Sequence, residues 1–496
     1  MHTQISPYRK LEARFRRIGV LGDIEGMLSW DMATMMPPGS AESRAEHLSA
    51  IKVMVHELLT DPELPELLAS AETEIGHDSW ERANLAEMHR LHLRESAIDS
   101  ALTDALAKAE SDCEMRWRKA RPASDFSLVR KSLSRLLELK REAAAAIGEK
   151  LNLAPYDALI DAFEPGMTAD KIDGLFAPLI EKLPGILARV MERQKPALPL
   201  EGPFPVDVQR ELGIEFMRAL GFDFERGRLD VSLHPFTGGA SGDVRLTTRY
   251  DESDFTRSLM GVLHETGHAL YEQGLPEDWR YQPAGRVPSM MLHESQSLLI
   301  EMQACRSFEF LTYAAPHMAR AFGGSGPAWN ADNLYRLYTA VKPSAIRVDA
   351  DEVTYPFHIF LRYRLEKALI AGDLKVDDLP GAWNDGMKEL LGFTPADDAQ
   401  GCLQDIHWYD GAFGYFPSYT LGAMTAAQLF EAACRAQPEI KPGLAKGDFK
   451  PLLGWLRANV HREASKLAPA DLIHQATSRP LDAASFLAHL ERRYLA

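Results

Sequence analysis

The residues in this sequence best suited to chemistry stand together as His264-Glu265-Thr266-Gly267-His268. Their surroundings read as one amphipathic helix from about Asp254 to Tyr271. Ser253 or Asp254 can cap it, Phe255, Leu259, Val262, Leu263 and Leu270 supply an apolar stripe, and Gly274 is placed to stop it. Two histidines four apart share one face of such a helix, so both imidazoles can reach the same ion. Glu265 is rotated by about 100° from His264, which sets its carboxylate beside a water at the ion rather than on the ion itself. The pattern points to a metal-dependent hydrolase. A helical histidine taken alone is more often a packed or solvated side chain, so the reading needs a further ligand.

A catalytic zinc takes three protein ligands and leaves a position for water. A metzincin would carry Gly at 271 and His at 274; Tyr271 and Gly274 stand there instead, which excludes that class. Glu272 lies roughly 12 Å along the helix axis from His264, too far to share one ion. Beyond the Pro- and Gly-rich loop from Leu275 to Val287, a second helix is expected to begin near Pro288. It carries His293-Glu294-Ser295-Gln296 in its first turns. Glu294 is the favoured third ligand, because a carboxylate-completed site is the commoner peptidase arrangement. His293, pointing about 100° away, is its rival, and a merely solvated Glu294 is the plainer alternative.

These two motifs, taken with four more, resemble the carboxypeptidase Taq type of thermostable metallocarboxypeptidases. The additional four are His234-Pro235-Phe236, Asp243-Val244-Arg245-Leu246-Thr247, Ile346-Arg347-Val348-Asp349-Ala350-Asp351 and Gly401-Cys402-Leu403-Gln404-Asp405-Ile406-His407-Trp408. The likeness reaches Leu28-Ser29-Trp30-Asp31 near the start and Tyr156-Asp157-Ala158-Leu159 and Glu164-Pro165-Gly166 in the middle, so it covers essentially the whole chain. It implies a mainly α fold: a large helical body with a deep groove and a small β-sheet beside the zinc site. It also implies release of single amino acids from the C-terminus of peptides with broad specificity, one Zn2+ per chain with Co2+ a possible substitute, and a homodimer. Both metals accept nitrogen and oxygen ligands.

Around the expected metal ligands His264, His268 and Glu294, peptide hydrolysis needs a proton carrier, donors for the oxyanion and a hold on the substrate. Glu265 fits the first role. His407 is the first candidate for the second and Tyr415 the next, in the aromatic loop Asp410-Gly411-Ala412-Phe413-Gly414-Tyr415. The layout resembles the distant angiotensin-converting enzyme group, where a His and a Tyr downstream of the zinc ligands serve the oxyanion. A core tyrosine with a satisfied hydroxyl is the plainer reading of Tyr415. A free α-carboxylate is best held bidentately by a guanidinium. Arg347 and Arg245 are the candidates, with His234 also assigned to substrate binding. Asp349 and Asp351 could orient Arg347 or neutralise it. A zinc endopeptidase would need no such arginine, and a binding module that had lost turnover would not be expected to keep Glu265.

The elements that must position these groups are mostly helical. The period is clear in Phe126, Val129, Leu133 and Leu136, and helices are also expected over Asp61–Thr73, Asp78–Lys119 and Ala169–Gln194. Pro196, Pro199, Pro203 and Pro205 mark a candidate boundary between an N-terminal helical lobe, 1–200, and a catalytic part, 201–496; one continuous body over 1–496 is the alternative. The main β signal, Arg228–Leu233 and Val244–Thr248 around Gly238, Gly239 and Gly242, reads as a hairpin with a long loop. An edge strand there could pair with an extended peptide, or act only as a brace.

Composition bounds the rest. With 496 residues and 46 % hydrophobic content the chain can bury a large core. A formal net charge of −16 argues against nucleic acid or an anionic membrane as a main partner. Cys113, Cys305, Cys402 and Cys434 are scattered, without disulfide or thiolate-zinc spacing. No apolar run is long enough to span a bilayer and no signal core is evident, so a cytoplasmic enzyme is expected.

Overall fold

A computed structural model describes residues 5–495. It is 68 % helical and, among the described residues, has one small three-stranded sheet. The chain divides into two compact units, each assembled from separated stretches. The first comprises residues up to His92, Lys195–Thr339 and Gly422–Leu481; the second comprises Leu93–Gln194, Ala340–Leu421 and the stretch from Asp482 onward. Each unit therefore draws on both the 1–200 and the 201–496 regions, and one passage between units falls at Gln194–Lys195, beside the proline-punctuated stretch.

In the first unit the Phe255–Glu272 helix is capped by Asp254, whose side chain accepts from the Thr256 backbone N–H. Its apolar stripe, including Phe255, Leu259, Val262, Leu263 and Leu270, is buried, as the sequence spacing requires. Gly274 follows the helix end without a left-handed turn; its role is close approach, since a Cβ there would meet His461 Nδ1 at 2.4 Å. The next helix, Met290–Leu298, starts at Ser289, whose side chain accepts from the Leu292 N–H. It continues directly into a π-helical segment, Leu299–Cys305, a wider winding often found at functional sites. A separate core of this unit packs Tyr8, Leu11, Phe15 and Ile18 against Leu59, Leu64, Leu68 and Met88.

The sheet departs from the expected hairpin. β1 (Gly227–Val231) and β3 (Asp243–Thr248) are parallel, with Leu229 opposite Leu246. The glycine-rich loop between them forms a third strand, β2 (Thr237–Ala240), antiparallel to β3, giving the order β1-β3-β2. The physical reason lies in the glycines. Gly242, at φ +88°, permits a tight return from β2 into β3, so β3 takes its near neighbour in sequence as its antiparallel partner. The segment before β2 is left as the crossover that a parallel pair needs.

In the second unit long helices dominate, including Ser100–Ala123, Ser127–Leu151, Ala169–Arg193 and Tyr355–Ala371. Among the described residues, no helix of the chain is long and apolar enough to cross a membrane.

Candidate active site

The first unit brings His264, His268 and Glu294 together. One donor atom from each lies within 4.8 Å of the others, and all three side chains are partly buried. Nε2 of His268 is 3.3 Å and Nε2 of His264 3.8 Å from the same Glu294 oxygen. His293, the rival ligand, is engaged elsewhere: its Nε2 is 2.9 Å from Glu272 Oε1, and its ring stacks on His268 at 4.4 Å.

Two glycines allow this convergence. A Cβ on Gly267 would lie 2.5 Å from the Gln296 carbonyl oxygen and 2.6 Å from Ser297 Cα, so only glycine lets the two helices approach at this point. A Cβ on Gly422 would lie 2.8 Å from Glu294 Cγ. Ser297 Oγ donates to the Glu294 carboxylate at 3.2 Å, fixing it from its own helix.

Glu301 completes the surroundings of the cluster. Its Oε2 is 2.9 Å from His264 Nδ1, while its Oε1 accepts from Arg306 Nη2 at 2.6 Å. A histidine whose second nitrogen is held by a carboxylate has its tautomer and ring plane set for metal ligation. Burial would lower the basicity of His264, yet Glu294, Glu301 and Glu265 outweigh it and push the pKa up to about 10. The pocket thus favours positive charge. Two imidazoles and a carboxylate in such a field suit a divalent cation that accepts N and O donors.

Glu265 is buried and outside the cluster of donors. Thr237 Oγ1, on the edge strand β2, is 2.7 Å from its Oε2 and 3.0 Å from its backbone carbonyl oxygen. The strand therefore fixes the rotamer of the carboxylate. Arg245 lies on β3 and donates through Nε and Nη2 to Asp243 at 2.9 and 2.5 Å, with its guanidinium 4.5 Å from the centre of the Trp30 ring. His234 is exposed, and its carbonyl oxygen accepts from Ser232 Oγ at 2.6 Å.

The second unit holds His407, Tyr415 and Arg347. The rings of His407 and Tyr415 are 5.4 Å apart, and Tyr415 packs edge-on against Phe163. His407 Nε2 is 3.1 Å from the Tyr419 hydroxyl. Burial lowers the His407 pKa to about 4, so its imidazole is neutral at physiological pH.

The ion-pair partner of Arg347 is Asp405. Nε and Nη2 donate to Asp405 Oδ1 at 3.0 and 2.8 Å, Nη1 donates to the Tyr355 hydroxyl at 2.6 Å, and the backbone N–H donates to Gln404 Oε1. The other Asp405 oxygen accepts from Arg362 Nε at 2.7 Å. Burial pushes the Asp405 carboxyl up, but the guanidinium groups of Arg347 and Arg362 overcome it and hold the carboxyl far below the usual range. Asp351 instead accepts from the Lys342, Val353 and Thr354 backbone N–H groups and the Thr354 hydroxyl.

The sequence alone does not single out Glu301, Thr237 or Gly422, which lie beside His264, Glu265 and Glu294, nor Arg362, which shares Asp405 with Arg347. Glu301 had a legible signal, seven residues after Glu294 and so about two turns along on a similar face. The other three owe their places to tertiary packing and carry no local signature.

Comparison with known proteins shows the family of the chain. The family model for "Carboxypeptidase Taq (M32) metallopeptidase" matches residues 10–494. Thermostable carboxypeptidase 1 of Thermus thermophilus is 39 % identical over an alignment of 508 residues, spanning 100 % of this chain and 99 % of that one. Carboxypeptidase 1 of Bacillus subtilis is 36 % identical over 97 % of this chain and 96 % of its own. The solved structure of Trypanosoma cruzi metallocarboxypeptidase 1 superposes with a TM-score of 0.96 at 37 % identity, covering 99 % of both chains. With its whole length matched in sequence and in fold, the chain belongs to the carboxypeptidase Taq (M32) family of metallopeptidases and is a metallocarboxypeptidase, a peptide hydrolase.

Proposed function

We propose that His264, His268 and Glu294 hold one zinc ion and that Glu265 is the general base for removal of single residues from the free C-terminus of peptides, with little selectivity for side chain. The observation that carries this reading is the convergence of three donor atoms within 4.8 Å, one residue away from a carboxylate fixed by Thr237. When bound, the metal supplies a Lewis acid that polarises the scissile carbonyl and acidifies water. Glu265 takes the proton from the attacking water and passes it to the leaving amine. Thr237 donates to Oε2 of Glu265, which orients Oε1 for that transfer. His407 and Tyr415 donate to the developing oxyanion, a role that suits the neutral imidazole of His407.

Arg347 and Arg245 are assigned to the terminal carboxylate, and His234 to substrate binding. Arg347 is rigidly oriented by Asp405 and Tyr355, whereas Arg245 is the more accessible, with 18 % of its side chain exposed against 7 % for Arg347. Cobalt is a possible substitute for zinc. The family resemblance supports a homodimer, and four free cysteines with a strongly acidic composition suit a cytoplasmic enzyme.

The deciding experiment offers metal-loaded protein a peptide with a free C-terminus and its amidated twin, with Glu265→Gln as control. Stepwise release from the free peptide alone, abolished in the control, is expected. Equal internal cleavage of both peptides would sink the carboxylate-anchor assignment.

A further inference from the structure

Glu366, in the middle of the Tyr355–Ala371 helix of the second unit, is completely buried. Among the described residues its carboxylate has no ion-pair partner at contact distance, and it instead collects three donors. Tyr156 Oη donates to Oε2 at 2.7 Å, the Gly414 backbone N–H donates to Oε2 at 3.0 Å, and Trp408 Nε1 donates to Oε1 at 2.8 Å. Two of these donors are neighbours in sequence of the proposed oxyanion groups: Trp408 follows His407, and Gly414 precedes Tyr415. Gly414 has φ +91°, and a Cβ there would lie 2.8 Å from the Leu159 carbonyl carbon, so the loop is pressed against the Pro155–Ile160 helix that also carries Tyr156. One carboxylate thus grips both ends of the 407–415 loop and ties them to two helices.

We propose that Glu366 is a positioning residue for the hydrolytic reaction: by holding Trp408 and Gly414 it fixes the mutual placement of His407 and Tyr415. The inference rests on the oxyanion role proposed for those two residues. Burying an acidic group without a cation at contact distance is costly, and such groups are commonly kept at functional sites. Burial raises the Glu366 pKa to about 7 against the pull of its donors and of Arg362 on the same helix. The loop bonds can be kept in either charge state, because the Tyr156 hydroxyl, unlike the other two donors, can reverse its hydrogen bond. A protonated Oε2 can donate to Tyr156 while still accepting from Gly414. A glutamine cannot do the same: its amide N–H2 must face either Trp408 Nε1–H or Gly414 N–H.

The test compares Glu366→Gln, Trp408→Phe and Tyr156→Phe with His407→Ala and Tyr415→Phe, all metal-loaded and with kcat expressed per folded, metal-containing molecule. For Glu366→Gln kcat is expected to fall about 10- to 100-fold, the scale of a displacement on the order of 1 Å, with KM for the peptide and metal content unchanged. Trp408→Phe should lose kcat in the same direction. Tyr156→Phe leaves both loop bonds in place but cuts the carboxylate's tie to the Pro155–Ile160 helix, so its loss of kcat should be smaller than that of Glu366→Gln. A purely structural role would lower the melting temperature but leave kcat per folded molecule unmoved. Wild-type kcat in both Glu366→Gln and Trp408→Phe, with His407→Ala and Tyr415→Phe impaired, would overturn the inference alone. If Glu366→Gln does not fold, Trp408→Phe decides by the same criterion. Wild-type turnover in His407→Ala and Tyr415→Phe would overturn the oxyanion assignment and this inference with it.

Discussion

Glu301 Oε2 sits 2.9 Å from Nδ1 of His264, while Nε2 of the same ring faces Glu294 at 3.8 Å. The imidazole is thereby held with Nδ1–H donating to a carboxylate and Nε2 aimed at the cluster. Replacing Glu301 with Gln keeps an acceptor but removes the charge that raises ligand basicity and pairs with Arg306. Metal affinity is expected to fall by about 10- to 100-fold. Competition with a chromogenic chelator measures it, and unchanged affinity would exclude a supporting role for Glu301.

Gly267→Ala and Gly454→Ala should have opposite effects. At Gly267 the added methyl collides with the backbone of Gln296 and Ser297, so the helices must separate. A loss of about 1–3 kcal/mol in stability is expected, together with weaker metal binding. Gly454 lies in the Lys450–Asn459 helix with nothing within 4 Å of the new Cβ. There the substitution should stabilise by about 0.5–1 kcal/mol through a less flexible unfolded chain. Denaturant unfolding of both variants distinguishes the two cases.

Asp405→Asn would leave Arg347 and Arg362 sharing a neutral amide. Both guanidinium groups are buried, and Arg362 is fully so. Removing one partner of a buried ionic cluster strands the remaining charges, and a loss of about 3–5 kcal/mol is expected in urea unfolding at neutral pH. A change below about 1 kcal/mol, the level of a surface pair, would mean that the cluster is far more hydrated than its burial implies.

Glu366 gives a pH signature in stability. Its pKa is raised in the folded chain to about 7 because burial disfavours the anion. The folded protein therefore holds this proton more tightly than the unfolded one. The resulting stabilisation is full below the ordinary glutamate range and is lost as pH rises through about 7. Relative to Glu366→Gln, the wild type should lose up to about 3 kcal/mol between about pH 5 and 8. Parallel pH series of denaturant midpoints for the two proteins would show this slope or its absence.

How much of this was legible in the sequence depends on the range of the forces involved. The Phe255–Glu272 helix is visible because its cap, apolar stripe and paired histidines are local, and the second helix, expected near Pro288 and found to start after Ser289, carries Glu294 to the cluster. Local pattern alone reads β1 and β3 as a hairpin, because strand direction is decided by which segment competes for β3, and the winner, β2, hides inside a loop. Arg347 raises the same difficulty for charge. Asp349 and Asp351 are near it in sequence, but its partner, Asp405, is brought there by folding, and nothing local distinguishes the three carboxylates. Gly422 is the extreme case: it contributes only the absence of a Cβ beside Glu294, and no pattern announces that.

The interleaving of the two units has a consequence for how the chain is made. The first unit needs residues through Leu481, and the second needs the stretch after Asp482. As the polypeptide emerges from the ribosome, His264, His268 and Glu294 appear well before either body has all of its pieces. Neither body can reach its final packing until the residues around 481–482 have been made, so the helix faces that pack against those late stretches stay unpaired until then. Such chains with distant contacts fold slowly and are exposed to misassembly meanwhile. A recombinant form truncated before Leu481 is expected to retain His264, His268 and Glu294 in its sequence and yet lack a complete body to bring them together.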